Sequence, residues 1–394
     1  MAIFNRFNKG CLWIFCASII VTACSPIPTR QATPLETLGA GEGRLNIIAW
    51  DGYVERGEND PKVDWVTDFE KTTGCQIEVK TASSSDEMAV LMSQPGYDLV
   101  TAPSDVSTRL IDGGMVQPIN VTLIPSWNSV DARLANSPWH TVNGVHYGIP
   151  FVWNVNRLLY EKGVFSNPPS SLGLTFEEQN LPDGYTNSGR VQAYEGAMAI
   201  ADAALYLMET RPELGIRDPY ELDRDQFRYA IELLREQRAL ISNYWRDIDE
   251  QIATFPYDGS AVSVAWPYQV EEFKRKGYPV DSLILENGMS GRADTLMLHS
   301  NAPHPNCAYQ WMEYLLDPVV QADVSAWSGA NPSVSGVCQT DNPLGEDGCR
   351  ANGYYDFDKV YFWRTPMAEC GDGALECVPY SEWVSAYISI VGGN

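Results

Sequence analysis

The stretch from Arg44 to Thr101 limits the fold more than any other part of the chain. Arg44-Leu-Asn-Ile-Ile-Ala-Trp50 is an apolar, β-prone run. A helical pattern follows over 62–73, with Trp65, Val66 and Phe69 on one face and Gly74 to stop it. Cys75-Gln-Ile-Glu-Val-Lys-Thr81 alternates as a strand. Ser85 can cap a helix over 86–94, and Tyr97-Asp-Leu-Val-Thr101 reads as a third strand. Strands and helices alternating at this spacing imply a parallel α/β sheet.

A second α/β block lies further on. Gly189 to Ala193 reads as a strand and Ala197 to Met208 as a helix. Asp223 to Leu240 is amphipathic, with Phe227, Ala230, Ile231 and Leu234 at i, i+3, i+4 and i+7. Ala261 to Ala265 and Val280 to Leu285 read as strands around a helix from Tyr268 to Lys276. Residues 306–327 are helical with a break at Asp317-Pro318. Between the blocks, Asn143-Gly144 marks a hairpin, Tyr147 to Tyr160 is β-prone, and 166–188 is an irregular excursion. Two blocks predict two lobes with a cleft, and ligands of open α/β sheets sit outside the carboxyl ends of strands.

The start of the chain is an address. Arg6 and Lys9 precede a largely apolar run, Cys11 to Ala23, which is too short to span a bilayer. It ends Val21-Thr22-Ala23-Cys24, which resembles a bacterial lipobox, so Cys24 is the candidate lipidation site of an exported protein. Residues 24–43, rich in Pro, Thr, Ala and Gly, read as a tether. Six cysteines follow: Cys75, Cys307, Cys338, Cys349, Cys370 and Cys377. An even number in an exported chain reads as disulfides, and six allow fifteen pairings. Cys370 with Cys377 and Cys338 with Cys349 would each close a short glycine-bearing loop, leaving Cys75 with Cys307.

Acidic residues number 51 against 27 basic ones, giving a formal charge of −24. That disfavours a nucleic-acid binder, which needs a basic face for phosphates. No C-x-x-C pair is present, and the four histidines lack metal-ligand spacing. No metal site and no cofactor is expected.

The predicted strand ends carry aromatic and acidic residues. Trp50-Asp51-Gly52-Tyr53 follows the first strand, Ser104-Asp105 the third, and Trp266-Pro267-Tyr268 the 261–265 strand. Ala293-Asp294-Thr295 begins another strand. Aromatic faces attract a cation and cover its methylenes, while carboxylates accept its N–H groups. Such a set suits an organic ammonium.

These segments carry a resemblance. Leu45-Asn-Ile-Ile-Ala-Trp-Asp-Gly-Tyr53, Asp68-Phe-Glu-Lys-Thr-Thr-Gly74, Tyr97-Asp-Leu-Val100 and Tyr147-Gly-Ile-Pro150 are followed by Val264-Ala-Trp-Pro267, Ala293-Asp-Thr-Leu296 and Cys307-Ala-Tyr-Gln-Trp-Met312. In this order, over most of 44–335, the chain resembles the periplasmic solute-binding proteins of spermidine/putrescine-type ABC importers. Gly-Arg-Val-Gln-Ala-Tyr at 189–194 and the cysteine-bearing C-terminal region are similar to a polyamine-binding subgroup. The resemblance implies a bilobal type II clamshell, with lobe 1 at 44–152 plus 294–333 and lobe 2 at 153–293 plus 334–394. It implies a small amine ligand, an inner-membrane permease as partner, a monomer and no enzymatic activity. Trp50 and Tyr53 match the first-strand aromatic pair, and Ser104 or Asp105 the ligand-contacting loop of lobe 1. Trp266 matches a stacking tryptophan and Asp294 an amine-binding carboxylate. Glu195 lies near a second family carboxylate.

Three positions depart from the pattern. Gly52 stands where an acid is common, with Asp51 beside it. Ala330 stands near an expected tyrosine. Arg292 stands where an aromatic is expected, two residues before Asp294. A guanidinium in a cation cage repels a polyamine, so it either pairs with an acid such as Asp294 or binds a ligand carboxylate. That makes a γ-aminobutyrate-like amine or an amino acid the alternative ligand. The remaining alternatives are an exported carboxylate-dependent enzyme, for which no G-x-S-x-G, H-E-x-x-H or Walker motif is present, and a ferric-ion binder using Tyr354-Tyr355.

Overall fold

The computed structural model describes residues 34–371 and 376–393; Cys24 and the 1–23 leader lie outside them. In chain order the strands are β1 (Arg44–Ala49), β2 (Gln76–Thr81), β3 (Leu99–Pro103), β4 (Thr141–Val142), β5 (Val145–His146), β6 (Gly148–Val155) and β7 (Arg157–Glu161). Then come β8 (Val191–Tyr194), β9 (Ile241–Trp245), β10 (Val262–Ala265), β11 (Val280–Leu283), β12 (Met289–Leu298), β13 (Asn331–Pro332) and β14 (Val360–Phe362).

They form two large mixed sheets. The first runs β13-β6-β12-β3-β1-β2, with β14 also on β12; the second runs β11-β7-β10-β8-β9. β1 is parallel to β2 and β3, and β8 is parallel to β9 and β10. Each sheet has its own apolar core. Leu45, Ile47, Leu99, Phe151, Leu296 and Trp311 pack in the first; Leu158, Val191, Ile231, Leu234, Val262 and Trp383 pack in the second. One residue, Asn156, joins β6 of the first sheet to β7 of the second. Its backbone N–H donates to the Ser290 carbonyl (2.8 Å) and its side chain to Ser290 Oγ (2.9 Å). Two of the passages between the sheets, at 155–157 and at the start of β12, are thereby tied together. Among the described residues no helix is long and apolar enough to cross a membrane.

Most elements fall where the pattern predicts. The first helix is Val66–Thr73, and Gly74 ends it with φ 75, a left-handed conformation that glycine adopts without strain. Asn143 and Gly144 both have positive φ and close the β4–β5 hairpin. Asp223 caps Arg224–Gln237 in a capping box with Gln226. Three expectations need correction. The cap of the second helix (Ser85–Met92) is Ser84, whose hydroxyl accepts from Glu87 N–H. Asp294 lies in the middle of β12, paired to both Pro103 and Val152, and not at a strand start. The 166–188 excursion contains a short helix, Gly173–Phe176. Residues 34–43, the end of the expected tether, lie against the body: Leu35 packs on the first core, and Glu42 accepts from Asn306 N–H and Cys307 N–H.

Among the described residues three disulfides form: Cys75–Cys307, Cys338–Cys349 and Cys370–Cys377. The first fixes the start of β2 to the helix Pro305–Leu315, 232 residues away. Cys338 and Cys349 pack with Val334, Val337 and Leu344 in the first core. Trp363, Val378 and Trp383, later in the same C-terminal segment, pack in the second. Tyr354 is a packing residue: its hydroxyl donates to Asp131 and its ring lies under the Arg133 guanidinium.

Candidate functional site

The carboxyl ends of five strands open on one cavity of about 570 Å³. Trp50 and Asp51 follow β1, and Thr81 ends β2. Tyr194 ends β8, Trp245 ends β9, and Trp266 follows β10. This is the crevice where open α/β sheets hold ligands, and its volume suits a small molecule. The second-sheet wall is aromatic. Tyr194 lies 5.0 Å from Trp245 and 5.9 Å from Trp363, and Trp363 lies 5.1 Å from Trp266 between ring centres.

The floor is built around Asp294, which is fully buried. Its position on β12, between β3 and β6, brings it beneath the end of β1. Trp50 Nε1 donates to its Oδ1 (3.1 Å) and the Tyr53 hydroxyl to its Oδ2 (2.8 Å). Asn154 Nδ2 donates to the Tyr53 oxygen (3.1 Å) and approaches Oδ2 (3.4 Å). Burial raises the Asp294 carboxyl above its usual range, and Arg292 with these donors opposes the rise.

Arg292, two residues earlier on the same face of β12, is 6% exposed. Its guanidinium carbon stands 4.5 Å from the Trp50 ring and 4.5 Å from the Trp266 ring. One tryptophan comes from each sheet, so the guanidinium is stacked between them. Its Nε lies 3.6 Å from Asp294 Oδ2, an ion pair without a hydrogen bond. Burial disfavours this charge, but Asp294, Tyr53 and Asp105 outweigh it and hold the group above its ordinary pKa.

The mouth is different. Asp51 from the first sheet and Asp249 from the helix Ile248–Thr254 both line it and are exposed to it. Burial, then the charge of Asp249, raises the Asp51 carboxyl. The other mouth charges are engaged: Glu87 accepts from Ser83, Asp247 caps its helix, and Arg246 pairs with Glu195 at 2.9 Å.

A second cavity, also about 570 Å³, shares Ser83, Ser85, Tyr194, Arg246 and Trp363 with the first. Asp105 and Glu195 line it. Asp105 is buried, its Oδ1 has no hydrogen-bond partner, and burial pushes its carboxyl up to about 6. Its backbone carbonyl accepts from the Thr365 hydroxyl, which ties the C-terminal segment to the helix Ser104–Asp112. Ser104 is buried, and its Oγ accepts from Ala293 N–H at 3.4 Å.

The nine residues singled out from the sequence thus separate. Trp50, Asp51, Trp266 and Arg292 line the main cavity, Tyr53 and Asp294 support its floor, Asp105 and Glu195 line the neighbouring cavity, and Ser104 is buried beneath. The sequence reading missed Tyr194, Trp245, Asp249 and Trp363. Tyr194 stood at the end of a recognised strand and could have been found. Trp245 ends, and Asp249 follows, a strand whose half-polar sequence, Ile-Ser-Asn-Tyr-Trp, did not stand out.

Known proteins share this architecture. The chain is 23% identical over 325 residues to the putrescine/agmatine-binding protein of Pseudomonas aeruginosa, covering 79% of this chain and 84% of that one. It is 23% identical over 310 residues to the putrescine-binding periplasmic protein PotF of Escherichia coli, covering 75% and 79%. The spermidine/putrescine ABC transporter substrate-binding protein PotD of Streptococcus pneumoniae superposes with a TM-score of 0.68 at 15% identity, over 88% of this chain and 97% of that one. Residues 64–345, well over half of the chain, match the family model for bacterial extracellular solute-binding proteins; the chain belongs to that family of transport proteins, not to an enzyme family.

Proposed function

We propose that the protein is the substrate-binding subunit of an ABC importer and captures a small organic amine of the putrescine and spermidine class. One observation carries this reading: a cavity at the strand ends with aromatic walls from both sheets and the unneutralised carboxylates of Asp51 and Asp249 at its mouth. Relatives named for putrescine, agmatine and spermidine support it. Trp50, Asp51 and Tyr53 form the half-site of lobe 1. Trp266 with Tyr194, Trp245 and Asp249 forms that of lobe 2. A solute that touches both favours the closed state through contacts available only there. The strands support lobe 1 at 44–155 and 289–333, since β6 and β12 lie wholly in the first sheet, and lobe 2 at 157–288. The packing of Cys338 and Cys349, the Tyr354–Asp131 bond and the pairing of β14 with β12 support moving 334–362 to lobe 1, leaving 363–394 to lobe 2. The closed protein docks on an inner-membrane permease, held near it as a monomer by lipid on Cys24.

A second reading has one specific support. Arg292 lines the cavity, and a guanidinium binds carboxylates well, which favours an amine that also carries an acid. Calorimetric titration with putrescine, spermidine, agmatine and γ-aminobutyrate separates the two. Micromolar binding of a plain amine is the expected result. Binding of γ-aminobutyrate alone favours the second reading, and silence from all four refutes both.

A further inference from the structure

The placement of Arg292 bears on what the cleft accepts, given that it takes an amine. A cation sandwiched between two indole faces, with a carboxylate beneath, is how such a cleft would hold an ammonium. Here that place is filled from within. The guanidinium is 4.5 Å from both Trp50 and Trp266, and Asp294 below it already receives Trp50 Nε1 and the Tyr53 hydroxyl. The Asp294–Arg292 pair sums to zero charge, so the floor has no charge left to neutralise in a second ammonium. The acids facing solvent in the cavity, Asp51 and Asp249, stand at the mouth.

We infer that Arg292 is a built-in cation that takes the place of one charged group of the solute, so that the cleft holds an amine by a single cationic end, between Asp51 and Asp249. Arg292 is then the specificity-determining residue: it shuts the inner position to a second cationic group. The chain behind the anchored amine lies along Tyr194, Trp245 and Trp363. Because Trp50 follows a strand of the first sheet and Trp266 a strand of the second, the same stack also bridges the two sheets.

The test compares n-butylamine, with one cationic end, and agmatine, which adds a guanidinium four carbons away. Both are titrated calorimetrically into the full wild-type chain and into Arg292→Ala and Arg292→Lys. In the wild type the two should bind within about threefold of each other. Agmatine binding at least tenfold tighter than butylamine there overturns the inference, without recourse to any variant. In Arg292→Ala the vacated slot should admit the guanidinium of agmatine, which gains at least tenfold while butylamine changes little. Arg292→Lys, which keeps a cation, should show no such gain. Should Arg292→Ala be unfolded alone, millimolar agmatine or methylguanidine should restore a cooperative melt; no restoration counts against the inference. Tight γ-aminobutyrate binding that disappears in Arg292→Ala also overturns it, by making Arg292 a direct carboxylate ligand. If the wild type ignores both amines while Arg292→Ala takes agmatine, the inner-slot assignment stands and the amine-solute reading fails. If the wild type binds amines and Arg292→Ala gains nothing, the reverse holds.

Discussion

The floor and the mouth of the cleft use the same side chains to opposite ends. On the floor, Asp294 is buried and surrounded by Trp50, Tyr53, Asn154 and Arg292, so its charge is met by the protein itself. At the mouth, Asp51 and Asp249 both line the cavity, and burial, then the like charge of Asp249, raises the Asp51 carboxyl. A charge satisfied internally belongs to the fold, because removing it strands its partner in a dry place. A charge left facing its like is stabilised by whatever cation enters. On the function proposed above, the difference gives Asp294 mainly a part in stability and Asp51 mainly a part in binding.

Substitutions can break that contrast. The largest effect is expected from Asp294→Ala, which leaves a buried guanidinium unpaired. A loss of about 3–5 kcal/mol in urea unfolding is expected; a loss under about 1 kcal/mol would mean that Arg292 does not depend on Asp294.

Next comes the buried Asp105, whose carboxyl is raised to about 6 from an ordinary 3.8. The folded chain then binds a proton more readily than the unfolded one. Stability should rise as pH falls from about 6 towards 3.8, and the group should be a net cost at pH 7. That cost is about 1–3 kcal/mol. The wild type should melt higher at pH 5 than at pH 7.5, and Asp105→Asn should flatten that difference. An equal pH dependence in the variant would remove Asp105 as its source.

At the mouth, Asp51→Asn should weaken amine binding by about tenfold, the loss of one charged hydrogen bond. It should leave stability unchanged or slightly higher, because the repulsion from Asp249 is relieved. A stability loss matching that of Asp294→Ala would erase the distinction between floor and mouth. The smallest effect is on the pH profile of binding. Cation capture needs Asp51 ionised, and its carboxyl is raised above 3.8 by burial and then by Asp249. Amine affinity should fall as pH is lowered through that raised range, while Asp51 itself favours the unliganded fold there. Calorimetry at several pH values reads this directly, and a flat profile in that range would count against Asp51 as the anchor.

Much of both sheets was legible because their strands and helices carry local signals. The runs at 44–50, 75–81 and 261–265 have β-prone composition, and Gly74 and Asp223 are strong terminators and caps. The three cysteine pairs matched because two of them close short loops. The second wall of the cleft was harder. Trp363 reaches it only because β14 joins β12, a pairing between distant segments with no local mark. The helix Ser104–Asp112 follows β3 without a break, its N-cap being Pro103, so no polar cap announced it. The identity of Arg292 could be read as a departure, and its pairing with Asp294 could be named as one option. Its stacking between two tryptophans could not, since that depends on how two sheets face each other.

A crystal structure with a bound amine tests the central claim most directly. The amine nitrogen should lie within hydrogen-bond distance of the Asp51 and Asp249 carboxylates, with the Arg292 guanidinium still between Trp50 and Trp266. A nitrogen bound on Asp294, with Arg292 swung out of the stack, would contradict it.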